Sequence, residues 1–202
     1  MTNKPTQTLH TTKTLPPDFE PLYTLDLTKD LRVGIFLNLA VLFMFFVFGY
    51  FFLWLVRTLR PESWSFDLIL LSEIGFLDLA IVFALMIILH EGIHGIFFWV
   101  FTREPPRFGL KLLYAYAAAP DWYIRRNSFI WVGLSPMILI SIFGLIAILL
   151  VPVSWMIALI LLLTVNAAGS MGDVFIVIKI LTQEGDVLIQ DIGDSFTIFG
   201  KK

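Results

Sequence analysis

Four long apolar runs, a hydrophobic fraction of 58% and a charged fraction of only 15% predict an all-α membrane protein with four transmembrane helices. A soluble domain carries roughly 25% charged residues, so most of this chain is suited to lipid. A mixed polar and aromatic stretch between the second and third runs adds a short β-hairpin in the middle loop. The net charge of −2 is too small to point to a nucleic-acid partner. The absence of cysteine removes disulfides and thiolate ligands, so a metal site would need histidine, carboxylate and water.

Residues 1–32 are polar, with threonine-rich and proline-containing segments, and are expected to form a tail. No short apolar stretch follows the start, so a cleaved signal peptide is not expected; the run over 33–56 is long enough to span and stay. Asn38 is its one strongly polar member, and a buried interhelical hydrogen bond suits it. The connection over 57–73 carries Arg60-Pro61-Glu62, Trp64, Phe66 and an apolar stretch at 68–71, a mixture that fits the bilayer interface. The second helix is expected over 74–101. Asp78 lies about 18 Å before His90 along a helix axis, too far to share a metal with it, and reads as an interfacial or helix-packing carboxylate.

Residues 102–128 form the longest polar connection between helices. The piece 108–118 mixes aromatic, aliphatic and small residues, and Pro120-Asp121 provides a turn before Trp122, Tyr123 and Ile124, which together suggest the hairpin. The third helix is expected over 129–151, with Pro136 inside it and Pro152 after it, and the fourth over 155–178. The membrane domain then covers 33–178 and a C-terminal tail covers 179–202.

Basic residues set the expected orientation. The N-terminal tail, the middle loop and the C-terminal tail hold 4, 5 and 3 Lys or Arg, whereas the opposite side holds only Arg57 and Arg60. This asymmetry predicts a multi-pass protein of the cell membrane with both termini cytoplasmic. Trp54, Trp64 and Trp155 then fall near the outer interface, and Trp99, Trp122 and Trp131 near the inner one.

The chemistry concentrates in His90-Glu91-Gly92-Ile93-His94 within the second run. On a helix, residues i and i+4 share a face, so the two imidazoles can hold one Zn2+ while Glu91 reaches water beside it. Histidine occurs only three times in 202 residues, which puts chance appearance of this pattern on the order of one in a thousand. Polar groups within an apolar span usually mark function. A catalytic zinc needs three protein ligands and an open position. His10 lies in the tail, whereas Asp173 lies about as deep in the fourth helix as His90 and His94 lie in the second. Asp173 is therefore the expected third ligand. Asn166, Gly169, Ser170 and Gly172 also interrupt the fourth run, and small residues there allow close helix approach or local loosening. Asn166, seven residues before Asp173, suits a hydrogen bond to a substrate carbonyl or to a ligand, and equally helix packing.

HEGIH in one span, followed two helices later by the segment from Asn166 to Asp173, resembles the core of the site-2 protease class of intramembrane metalloproteases. It resembles more closely a zincin peptidase family of prokaryotic membrane proteins. The likeness covers about residues 74–199 and includes HEGIHGIFFW and the tail VLIQDIGDSFTIF, which is similar to that family's short closing strands. The resemblance implies histidine ligands at His90 and His94, a catalytic acid/base at Glu91, a carboxylate ligand at Asp173 and a site facing the cytoplasm. The fourth helix lacks the Asn-Pro and Asp-Gly pattern of well-studied site-2 proteases.

The resulting expectation is a zinc metalloendopeptidase that hydrolyses peptide bonds of membrane-protein or peptide substrates near the cytoplasmic side of the bilayer. Two rival classes share some of these features. A small transporter would also gather polar groups at one depth, but the four runs show no clear inverted repeat. A membrane scaffold could keep the fold without metal. Neither the substrate nor the oligomeric state is written in the sequence.

Overall fold

The computed structural model describes residues 9–26, 29–61, 75–111 and 114–201. Strand β1 (Phe19–Asp26) precedes helix α1 (Leu31–Leu59), α2 (Phe76–Thr102), strands β2 (Arg107–Leu110), β3 (Ala115–Ala118) and β4 (Ile124–Arg125), and helix α3 (Arg126–Leu150). A 3-10 turn (Val153–Trp155), helices α4 (Met156–Gly169) and α5 (Met171–Leu181), and strands β5 (Val187–Asp191) and β6 (Ser195–Lys201) complete the chain. The interfacial segment expected around Trp64, Phe66 and 68–71 lies outside the described residues.

Among the described residues, four helical segments are long and apolar enough to cross a membrane: α1, α2, α3 and the combined Val153–Leu181. They are consistent with a multi-pass membrane protein. The last is not one continuous helix. Ser170 separates α4 from α5, and both its backbone N–H and its hydroxyl donate to the Asn166 carbonyl, at 3.0 and 2.8 Å. This use of a local side-chain hydrogen bond fits a break among small residues, and it places Asp173 in the first turn of α5.

One sequence expectation for the helices changes. Asn38 is exposed on α1 and donates to the Gly34 carbonyl of its own helix at 2.8 Å. An amide reaching back four residues is satisfied without a partner helix, which removes the reason for an interhelical bond. Asp78 sits in the first turn of α2 and accepts a hydrogen bond from the Gly75 N–H at 2.9 Å, so it caps a helix start where a carboxylate also meets the favourable end of the dipole.

The larger departure is a sheet that closes one end of the helices, so the chain is not all-α. Its antiparallel order is β1-β6-β5-β4, and it joins both chain ends to the connection before α3. The N-terminal segment is thus no tail: Leu25 pairs with Phe196 and is only 2% exposed, while Thr12 bridges Tyr123. Phe19, Tyr23 and Leu25 alternate with Glu20, Thr24 and Asp26, the period of a half-buried strand. The tail strands expected by resemblance are β5 and β6.

In the middle connection β2 pairs with β3 from Arg107↔Ala118 to Leu110↔Ala115. The chain after Pro120-Asp121 does not join that pair; Ile124 and Arg125 pair with β5 instead. The β2–β3 unit lies close over α2 because Gly95 has no Cβ, which would collide with the ring of Phe108. One core cluster, including Leu25, Phe98, Ile124, Phe129, Val132, Ile180, Ile189 and Ile198, fills the space between the sheet and the helix ends. A second, including Phe52, Val56, Ile148, Met156 and Leu163, holds α1, α3 and α4 together further along.

Candidate metal centre

The site forms where α2 meets α3 and α5 under the sheet. His90 and His94 lie one turn apart on α2, and their Nε2 atoms are 3.1 Å from one another. Asp173 spans both: Oδ2 is 3.3 Å from His90 Nε2 and Oδ1 is 3.5 Å from His94 Nε2. The expected three residues therefore come together despite the break at Ser170. His10 is not among them.

The other ring nitrogens fix what these atoms can do. His94 Nδ1 lies 2.8 Å from the Val132 carbonyl, which can only accept, so Nδ1 carries the proton and Nε2 carries a lone pair. His90 Nδ1 lies 3.1 Å from Asn166 Oδ1 and donates to it in the same way. Two lone pairs and a carboxylate then face one another in a mostly buried space, an arrangement that a shared cation satisfies at once. The spacing suits zinc: tetrahedral bonds of about 2.05 Å place donors about 3.3 Å apart. The two histidines and Asp173 fit that ion with a fourth position left for water or substrate.

The Val132 carbonyl is available because of a residue whose purpose the sequence did not disclose. In α3 that oxygen would accept the N–H of residue 136, but Pro136 has none. The released carbonyl turns to His94, and the Ser135 hydroxyl also donates to it at 3.1 Å. Asn166 is fully buried, and its contact to His90 makes it a group that orients a ring.

Glu91 and these three residues line a cavity of about 380 Å³, whose walls include Met86, Phe98, Phe129 and Ile176. The stretch 114–117, which includes most of β3, forms another wall, and the main chain of Ala117 lies within reach of the Glu91 carboxylate. Asp191 and Gly193, from the turn between β5 and β6, complete it. Sequence reasoning missed Asp191. Its Oδ1 accepts the Gly193 N–H at 2.8 Å, and burial pushes its carboxyl up to about 6. The Asp-x-Gly pattern signalled the turn, but nothing local placed that turn over α2.

Fold and site together define a helical protein, with spans long and apolar enough to cross a membrane, that carries a two-histidine, one-carboxylate candidate metal site beside Glu91. A family model described as "Putative zincin peptidase" matches residues 83–187, a little over half the chain, and the chain belongs to that family. Membership suggests a zinc metallopeptidase. No curated protein and no solved structure matches the chain at a significant level.

Proposed function

We propose that this chain is a zinc-dependent endopeptidase of the cell membrane that cleaves membrane-protein substrates near the cytoplasmic side of the bilayer, in the manner of the site-2 protease class. The observation that carries this reading is the convergence of two imidazole lone pairs and Asp173 at zinc-ligand spacing, with Glu91 lining the same cavity. The excess of basic residues in the segments joined by the sheet supports a cytoplasmic placement of that end and of both termini.

His90, His94 and Asp173 would hold the zinc, which when bound would supply Lewis-acid polarisation of a scissile carbonyl and of water. Glu91 accepts the proton of the attacking water and passes it to the leaving amine nitrogen, the work of a general base that becomes a general acid. Asn166 and the Val132 carbonyl hold the imidazoles in the tautomer that presents Nε2. The 114–117 wall offers extended backbone beside Glu91, against which a substrate strand can align.

The test pairs two variants with metal analysis on the same preparations. Glu91→Gln is expected to abolish cleavage of a co-expressed single-span membrane protein while keeping about one zinc per chain. Asp173→Asn is expected to weaken both. Folded wild-type protein that stays metal-free without chelator would sink the zinc reading and favour a scaffold.

A further inference from the structure

Asp191 stands at the end of β5, where the chain turns through Ile192 and Gly193 into β6. Gly193 has φ +92, and a Cβ there would collide with the Tyr116 ring, so the turn is pressed against β3. The Gly193 N–H fixes one carboxylate oxygen of Asp191. Among the described residues the side chain has no other hydrogen bond and no ion pair, although it lines the cavity that holds Glu91, His94 and Asp173.

Two cations of the β2–β3 region are occupied elsewhere. Lys111, beside the β2–β3 pair, bonds to Asp194, which also accepts the Tyr114 hydroxyl at 2.8 Å. Arg107 pairs with Asp121 at 2.5 Å. A turn of this kind needs only a side-chain oxygen, and asparagine or serine would supply it without placing a charge against an apolar wall. Burial is the main cause of the raised Asp191 carboxyl, opposed by the Gly193 N–H and by His94.

Charge counting gives the same direction. With zinc bound, the carboxylates of Glu91 and Asp173 would offset its charge, and Asp191 adds a third carboxylate to the same cavity. The apolar walls formed by Met86, Phe98 and Ile176 suit the stem of a long basic side chain whose head reaches a carboxylate.

We propose that Asp191 is a specificity-determining residue that binds an ammonium or guanidinium group of the substrate close to the scissile bond. This assignment rests on the peptidase reading for its meaning, but the contact itself can be measured without catalysis.

The experiment uses full-length, zinc-loaded Glu91→Gln protein in nonionic detergent and three dye-labelled leucine-alanine peptides. One is N-acetylated with a central lysine, the second is N-acetylated with a central glutamine, and the third has that glutamine and a free amino terminus. Binding by fluorescence anisotropy is expected to favour a cationic peptide over the acetylated glutamine peptide by about tenfold, as for a desolvated charge pair. Whether the lysine or the free-amine peptide wins identifies the source of the cation. Adding Asp191→Asn, which retains an acceptor for the Gly193 N–H, should bring the peptides to within about twofold of one another. Asp191→Lys should turn the preference toward a peptide with a central glutamate. Equal binding of cationic and neutral peptides to protein carrying Asp191 overturns the proposal, and so does a preference that survives Asp191→Asn at unchanged zinc content. Wild-type protein that prefers the cationic peptide through Asp191 yet cleaves none of the three would uphold the contact and overturn the peptidase reading alone.

Discussion

The sheet-capped end of the molecule and the outer flanks of α1 and α2 are both rich in apolar residues, but they bury them differently. At the capped end, side chains from strands and helices close on one another, and Leu25, Phe98, Ile124, Ile189 and Ile198 are each at most 2% exposed. On the flanks, Phe43, Phe46, Tyr50, Phe76 and Leu77 are all more than 60% exposed. Large apolar side chains left outward over so long a surface are expected only where lipid covers them. The candidate metal centre lies at the boundary between these regions. Its candidate ligands hang from helices suited to the membrane, while Asp191 comes from the cap and the 114–117 wall from the β2–β3 pair.

The largest effect separating the regions should come from a ligand. His94→Ala is expected to take the protein from about one zinc per chain to essentially none and to abolish cleavage. Phe46→Ala on the outer face of α1 should leave the metal in place. Metal analysis of both proteins, with helix content followed by circular dichroism, checks this; loss of zinc in Phe46→Ala would mean that the flank is coupled to the site in a way that its exposure does not suggest.

The next effect concerns stability. Truncating Leu25, buried between β1 and the helix ends, should cost about 2–5 kcal/mol, as large-to-small core changes do. Phe46→Ala should cost within about 0.5 kcal/mol, because its side chain leaves one apolar surrounding for another. Reversible denaturation in mixed micelles compares the two. A small loss for Leu25→Ala would show that the N-terminal strand is an accessory to the fold, contrary to its burial.

How far each region was legible follows from how local its signals are. A transmembrane helix is announced by the residues that form it, so the four apolar spans were readable to within a few residues, and His90, His94 and Asp173 followed from matching depth along two helices. The cap depends on pairing between residues far apart in sequence. β1 and β6 meet across more than 160 positions, and each strand alone carries only a weak alternation. Asn166 was visible as a polar residue in an apolar run, but its contact with His90 depends on helix rotation. Asp191 could not be singled out from the sequence because the feature that makes it notable, its place in the cavity, is entirely tertiary.

Pro136 offers a smaller and sharper test, since two quantities should move in opposite directions. Pro136→Ala restores an N–H that competes with His94 for the Val132 carbonyl. Zinc affinity should fall about 10–100-fold, the usual effect of disturbing a partner of a ligating histidine. Removing proline from the interior of α3 should leave helix stability equal or higher. Competition with a coloured chelator measures the first and thermal unfolding of the metal-free protein the second. If affinity is unchanged, the Val132 carbonyl does not hold the ring in its binding tautomer.

Asn38→Leu should have the smallest effect, and its smallness is informative. The amide is exposed on α1 and bonds the Gly34 carbonyl of the same helix, so substitution removes only a local contact. Hydrogen bonds between membrane helices average only about 0.6 kcal/mol, and a contact within one helix should contribute less than that. Stability of the purified monomer is expected to change by under about 0.5 kcal/mol, with zinc content unaltered. The same measurement in lipid bilayers at increasing protein density supplies the contrast. A loss that grows with density would show Asn38 meeting a second copy of the chain across the lipid-suited flank, and the outer face of α1 would then belong with the protein-packed region.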